Sequence, residues 1–65
     1  MRGTVKWFNN EKGYGFISYR DFDDIFFHYS VISKNGYKTI KAGVEVEFEL
    51  VKTSKGLQAL NVIEL

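Results

Sequence analysis

Residues 44–50, read as Val-Glu-Val-Glu-Phe-Glu-Leu, alternate apolar and acidic side chains without a break. Successive side chains of a β-strand point to opposite faces, so this pattern fits a half-buried strand and no helix. Val44, Val46, Phe48 and Leu50 then face a core, and Glu45, Glu47 and Glu49 face water. No window carries a sustained helical stripe. Residues 4–8, 15–19, 24–29 and 58–63 are rich in β-branched and aromatic side chains and read as four more strands. Turn-forming residues separate them: 9–13 between the first pair, 20–23 between the second and third strands, and 52–56 between the last two. The long connection, residues 30–43, is expected to hold a short helical turn near residues 30–33. The last strand lacks clean alternation, so its faces stay unassigned.

Five short strands in 65 residues suggest a small closed or nearly closed barrel, because closure removes aggregation-prone edges. The expected fold class is all-β, and residues 1–65 are expected to form one domain. A chain this short buries only about 60% of the surface its unfolded form exposes, so its stability is expected to be marginal. It has no cysteine and no proline, so neither disulfides nor a thiolate metal site brace it. No apolar run is long enough to span a bilayer, and no charged-then-apolar leader precedes the strands. The expectation is a cytoplasmic protein with no membrane partner.

Aromatic residues make up 17% of the chain, and two short runs, KGYGFI (12–17) and DIFFHY (24–29), hold many of them. Strand alternation sorts these rings. Gly15 and Ile17 share one face of the second strand, and Tyr14 and Phe16 the other. Ile25 and Phe27 share one face of the third, and Phe26 and His28 the other. Ile17, Ile25 and Phe27 are the natural core residues. Antiparallel pairing of the two strands would set Tyr14, Phe16, Phe26 and His28 side by side on the outside, at cross-strand spacings of about 5 Å. Single aromatics in strands more often fill cores than bind ligands, but both faces of one hairpin cannot enter one barrel interior. A homodimer interface is another way to cover the rings. Gly15, inside a strand, marks a place where another backbone or a ligand approaches closely. His28 has no cysteine and no Ser/Asp cluster beside it, so no catalytic role is expected and no catalytic or metal-ligating residue is assigned.

Rings flanked by Lys6, Lys12 and Lys55 suit single-stranded nucleic acid. Every base has a π-face, and stacking on an aromatic side chain contributes roughly 1–3 kcal/mol per base. Lysines at the margin neutralise phosphates and release counterions. The net charge is only +1, but Glu45, Glu47 and Glu49 lie on a different strand from the rings, which implies a dipolar surface.

The segments GTVKWFNNEKGYGFI (3–17) and DDIFFHYS (23–30), continued by GYKTIKAGVEVEFEL and KGLQALNV, strongly resemble the bacterial cold-shock proteins. The resemblance covers essentially the whole chain. It implies a five-stranded antiparallel barrel of the oligonucleotide-binding (OB) type, binding to single-stranded RNA and DNA, and an RNA-chaperone role. The sequence has no phosphate-cradling GxxxxGK(S/T) motif, so no cofactor is expected. The positions that match the family's ligand-contacting residues are Lys6, Trp7, Phe8, Lys12, Tyr14, Phe16, Asp24, Phe26, His28, Tyr29, Tyr37, Lys55 and Gln58. By that resemblance Lys12, Asp24, Lys55 and Gln58 supply polar contacts and the rings stack. A monomer is expected, with a strand-swapped dimer as the alternative. The chain departs from the family pattern at Phe22, Phe27, Leu57 and Leu60, and has tyrosine at 14, 29 and 37 where phenylalanine is common; each bears on stability or base preference.

Two other readings compete. Residues 12–19 fit the signature of an RNA-recognition motif, but that fold needs two crossover helices, for which the chain has neither length nor helical period. A small barrel with an aromatic groove for proline-rich peptides is the other; such grooves do not require lysines beside the rings. An enzyme ranks last.

Overall fold

The computed structural model describes residues 1–34, 36 and 38–65. Five strands form: β1 (Arg2–Asn9), β2 (Tyr14–Tyr19), β3 (Phe22–His28), β4 (Glu45–Thr53) and β5 (Gly56–Glu64). A 3-10 turn, Tyr29–Val31, follows β3, close to the helical turn expected there. The strands close into a barrel in the order β1-β2-β3-β5-β4. Neighbouring pairs run antiparallel except β3 and β5, which pair parallel through Phe26 and Gln58. The expectation of an antiparallel barrel needs that one amendment. A closed ring of five strands cannot alternate direction all the way round, so at least one neighbouring pair must be parallel.

The turns are tighter than expected. Phe22 and Asp23 belong to β3, leaving Arg20 and Asp21 as the turn, and Lys52, Thr53 and Gly56 belong to β4 and β5. Arg20 takes a left-handed conformation (φ 53°), which is what lets the chain reverse over two residues. Thr53 braces the other turn: its hydroxyl donates to the Gly56 carbonyl at 2.8 Å and accepts the Lys55 N–H at 3.2 Å.

The interior follows the alternation. Val46 and Phe48 of β4 are buried, with Val44 and Leu50 packed against them, while Glu45, Glu47 and Glu49 are exposed. Ile17, Ile25 and Phe27 are fully buried, joined by Val5, Ala59 and Val62. Ile32 and Ile40, from the long connection, complete the core. Ile32 forms a parallel bridge with Val62, and the Ser33 N–H donates to the Val62 carbonyl at 2.8 Å. The connection is thereby tied across the barrel, where two apolar side chains close what the strands leave open. Burying a side chain of this size stabilises by about 1.5–3 kcal/mol each.

Bulges break the alternation, and each has a consequence. Between Val5 and Trp7 the partners on β2 advance by one residue, from Ile17 to Phe16. The extra residue leaves both Lys6 and Trp7 outside and returns Phe8 to the core side, where it stacks on Phe27 with ring centroids 5.5 Å apart. Between Glu47 and Glu49 the partners on β5 move from Ile63 to Leu60. Asn61 sits in that bulge with φ 51°, and its side-chain amide donates to Glu49. This is why β5 reads without clean alternation: Ala59 and Val62, three apart, both point inward.

Candidate nucleic-acid interface

Hairpin β2–β3 pairs Tyr14 with His28 and Phe16 with Phe26. Both pairs lie on the outer face, because their neighbours Gly15, Ile17, Ile25 and Phe27 are buried. The ring centroids are 5.7 Å apart for Tyr14–Phe26 and 5.9 Å for Phe16–Phe26. The bulge in β1 brings Trp7 onto the same surface, 5.6 Å from Tyr14 and 5.2 Å from Phe16. Trp7, Tyr14, Phe16 and Phe26 are therefore one contiguous group of rings. Trp7 is 40% exposed and the other three are half-buried, so each shows part of a face or edge to solvent while its neighbours restrict its rotation.

Gly15 lies beneath this group for a backbone reason. It pairs with Phe8, and a Cβ on it would meet the Phe8 Cα at 2.9 Å and the Trp7 carbonyl closer still. Of the two readings for a glycine here, close approach of a backbone or of a ligand, the backbone of β1 is what it accommodates.

His28 and Tyr29 extend the surface past Tyr14. Both are exposed, and their ring centroids are 4.4 Å apart. The His28 Nδ1 accepts the Ser30 N–H at 3.3 Å and lies 2.9 Å from the Ser30 hydroxyl, which fixes the imidazole over the start of the 3-10 turn. Tyr29 is pinned from below: its N–H donates to the Gly13 carbonyl at 2.8 Å, and Gly13 (φ 75°) leaves no room for a Cβ against the Tyr29 ring.

Polar residues frame the rings at two ends. At one, Phe16, Phe26, Asp24, Lys55, Leu57 and Gln58 line a depression of about 560 Å³. The parallel β3–β5 pairing puts Gln58 beside Phe26, a neighbour relation that no local pattern announces. Lys6, set outside by the bulge, reaches Asp24 across the surface with Nζ 3.4 Å from Oδ1. At the other end a depression of about 490 Å³ is lined by Phe8, Asn10, Lys12, Tyr29, Ser30 and Lys38, among others. Lys12 sits in the β1–β2 turn, where its N–H donates to the Asn9 side-chain oxygen at 2.9 Å.

Of the expected site residues, Trp7, Tyr14, Phe16, Phe26, His28 and Tyr29 share one surface, with Lys6, Asp24, Lys55 and Gln58 at one end and Lys12 at the other. Phe8 is not part of the ring group: it packs on the core and shows itself only in the depression beside Lys12 and Tyr29. Tyr37 lies outside the described residues. Lys38 and Asn10 line the second depression without having been singled out. For Lys38 the signal was available, as a cation beside an aromatic in the long connection. Asn10 carried none, since asparagine there already serves a turn.

The electrostatics are dipolar. β4 is not a neighbour of β2 or β3 in the barrel order and pairs with β1 only over Arg2–Thr4, short of Trp7, so Glu45, Glu47 and Glu49 lie apart from the rings, while Asp24 is an exposed carboxylate beside them. Among the described residues no three His, Asp or Glu side chains converge as a metal site would require. No described helix is long and apolar enough to cross a membrane.

Comparison with known proteins agrees with this geometry. The model of the 'Cold-shock' DNA-binding domain family matches residues 1–65. The cold shock-like protein CspC of Bacillus cereus is 52% identical over 65 residues, 100% of both chains. The cold shock protein CspB of Bacillus caldolyticus is 53% identical over 65 residues, 100% of this chain and 98% of the relative. Among solved structures, one described as drosophila Unr CSD456 superposes with a TM-score of 0.74 at 25% identity, over 98% of this chain and 26% of that one. With its whole length matched, its five-stranded closed barrel and its surface rings, the chain belongs to the cold-shock domain family.

Proposed function

We propose that this protein binds single-stranded RNA and DNA with little regard to sequence, as a monomer in the cytoplasm, and acts there as an RNA chaperone that keeps strands unpaired. The observation that carries the reading is the contiguous, partly exposed group Trp7, Tyr14, Phe16 and Phe26. Bases stack on these rings and on His28 and Tyr29, each stacked base contributing roughly 1–3 kcal/mol. Lys6, Lys12 and Lys55 neutralise phosphates along the margin, and Tyr37 belongs to the same contact set. Asp24 and Gln58 offer an acceptor and an amide to base edges beside Phe16 and Phe26. Paired bases hide their π-faces, so duplex is excluded and the open strand is withdrawn from the folding equilibrium by mass action. No phosphate-cradling glycine loop of the ATPase type is in the sequence, so strand opening proceeds without ATP.

Trp7 is the reporter. Titration with oligo-U, the matching duplex and a proline-rich peptide should quench its fluorescence with the single strand alone, over a footprint in the lower half of the roughly 4–16 nucleotides typical of such barrels. Equal affinity for duplex and single strand would sink the reading. The same protein should lower the melting temperature of a hairpin RNA, equally with and without ATP.

A further inference from the structure

His28 is the only histidine of the chain. It ends β3 and caps the 3-10 turn Tyr29–Val31. Its Nδ1 meets two groups of Ser30, the backbone N–H at 3.3 Å and the hydroxyl at 2.9 Å. A backbone N–H only donates, so Nδ1 carries no proton, and the hydroxyl donates to it as well. A neutral imidazole whose Nδ1 is bare holds its proton on Nε2. Nδ1 adjoins the ring carbon bonded to Cβ, whereas Nε2 lies at the tip. With Nδ1 turned back to the Ser30 backbone, the tip N–H of this exposed side chain is turned away from it. Among the described residues none accepts from Nε2.

We propose that Ser30 is a positioning residue that holds His28 as a neutral hydrogen-bond donor to the strand, and that the acceptor is a backbone phosphate oxygen. The proposal rests on the strand binding argued above. A base stacks on the face of the imidazole, and a donor in the plane of that ring cannot reach a base lying on its face. It reaches what runs along the margin. Bases turned toward the barrel leave the sugar–phosphate backbone there. A phosphate oxygen is the strongest acceptor on that path, because hydrogen bonds to a charged group are about twice as strong as those between neutral ones. His28 thereby does what neither the other rings nor the lysines do. Phe16 and Phe26 offer faces alone. Lys6, Lys12 and Lys55 neutralise phosphates and release counterions, whereas a neutral N–H adds affinity without adding to the salt dependence.

NMR correlation of the imidazole protons with both ring nitrogens, at a pH where the ring is neutral, should show the Nε2–H tautomer alone in the free protein. A bare Nε2, or a mixture of tautomers, overturns the proposal. Anisotropy of labelled oligo-U then reads the donor. His28→Phe keeps a stacking face and removes the N–H. It should bind about 10-fold more weakly, near the lower end for a hydrogen bond to a charged group, with an unchanged salt slope; equal or tighter binding overturns the donor role. A set of oligo-U strands, each with one linkage replaced by an uncharged methylphosphonate, should include one linkage whose replacement weakens the wild type but not His28→Phe. Losses shared by both proteins at every linkage overturn the phosphate acceptor. Ser30→Ala should lose part of the same affinity, and Ser30→Thr should keep it. Added to His28→Phe, Ser30→Ala should cost nothing further; additive losses would mean that Ser30 touches the strand itself and does not act through His28. Circular dichroism shows that the variants are folded. A wild type that binds no oligo-U refutes strand binding itself, whereas binding without the linkage effect refutes only the donor.

Discussion

Phe16 and Ile17 are consecutive residues on opposite faces of β2, and replacing each by alanine separates binding from folding. Ile17 is 0% exposed. Ile17→Ala removes buried methylenes and leaves a cavity, at about 2–5 kcal/mol of stability. A chain of 65 residues has a total of only about 3–10 kcal/mol at the usual yield per residue, so this variant is expected to be partly or wholly unfolded at 25 °C. Phe16 is half-buried, with its ring centroid 5.2 Å from that of Trp7, 5.9 Å from that of Phe26 and 6.2 Å from that of Tyr14. Aromatic pairs contribute about 0.5–1.5 kcal/mol each beyond area; with three pairs taken at the low end because the ring is half-exposed, Phe16→Ala should lose about 1.5–3 kcal/mol of stability and, separately, about 1–3 kcal/mol of strand affinity. Stability is read by urea denaturation followed by far-ultraviolet circular dichroism, because Trp7 fluorescence changes when its neighbour is removed. Affinity is read by anisotropy of labelled oligo-U, corrected for the folded fraction. The folded fraction of Ile17→Ala should bind like wild type, and Phe16→Ala should fold but bind 5-fold to 150-fold more weakly by that energy range. An unfolded Phe16→Ala beside an intact Ile17→Ala would reverse the assignment of faces.

Gly15→Ala should be destabilising although it adds only a methyl group, because the Cβ would lie 2.9 Å from the Phe8 Cα and the backbone must move; about 1–3 kcal/mol is expected, read as a fall in Tm. Lys12→Gln should flatten the slope of log affinity against log salt by up to about 0.7, the value for one phosphate on a single strand, and an unchanged slope removes Lys12 from the phosphate contacts. Phe26→Ala should lower affinity at every salt concentration and leave that slope nearly as it was; a collapse of the slope would mean the rings only scaffold an electrostatic site.

The hairpin β2–β3 was legible because its two strands keep strict alternation where it matters. Once Ile17, Ile25 and Phe27 are assigned inward, period two sends Tyr14, Phe16, Phe26 and His28 outward with no further information. Alternation failed at Trp7. Counted from Val5 it would face inward, and it entered the expected site only through resemblance to the family, because a bulge has no composition signal in Val5-Lys6-Trp7-Phe8. The same holds for β5, where the break at Leu60 and Asn61 hid which residues face the core. Gln58 and Leu57 beside Phe26 and Phe16 depend on the parallel closure of the barrel, a pairing between residues far apart in the chain. Ile32 and Ile40 were hidden for a related reason: they lie in an irregular connection, where no period exists to mark an inward residue.

The bulge at Lys6 shows how one residue of register serves both core and surface. Without it, strict alternation would carry Trp7 inward with Val5 and turn Phe8 out. With it, Lys6 reaches Asp24 at 3.4 Å, Trp7 lies against Phe16, and Phe8 stacks on Phe27 in the core. The extra residue also presses the β1 backbone onto β2 at Gly15, which tolerates it only for want of a Cβ. The glycine and the bulge are therefore two halves of one arrangement. Trp7, the most exposed of the four grouped rings, is held in place by the path of the backbone more than by its own burial. Trp7 can present its indole to a ligand and still keep a defined position, because Val5 and Phe8, which bracket Lys6 and Trp7, are anchored by the core.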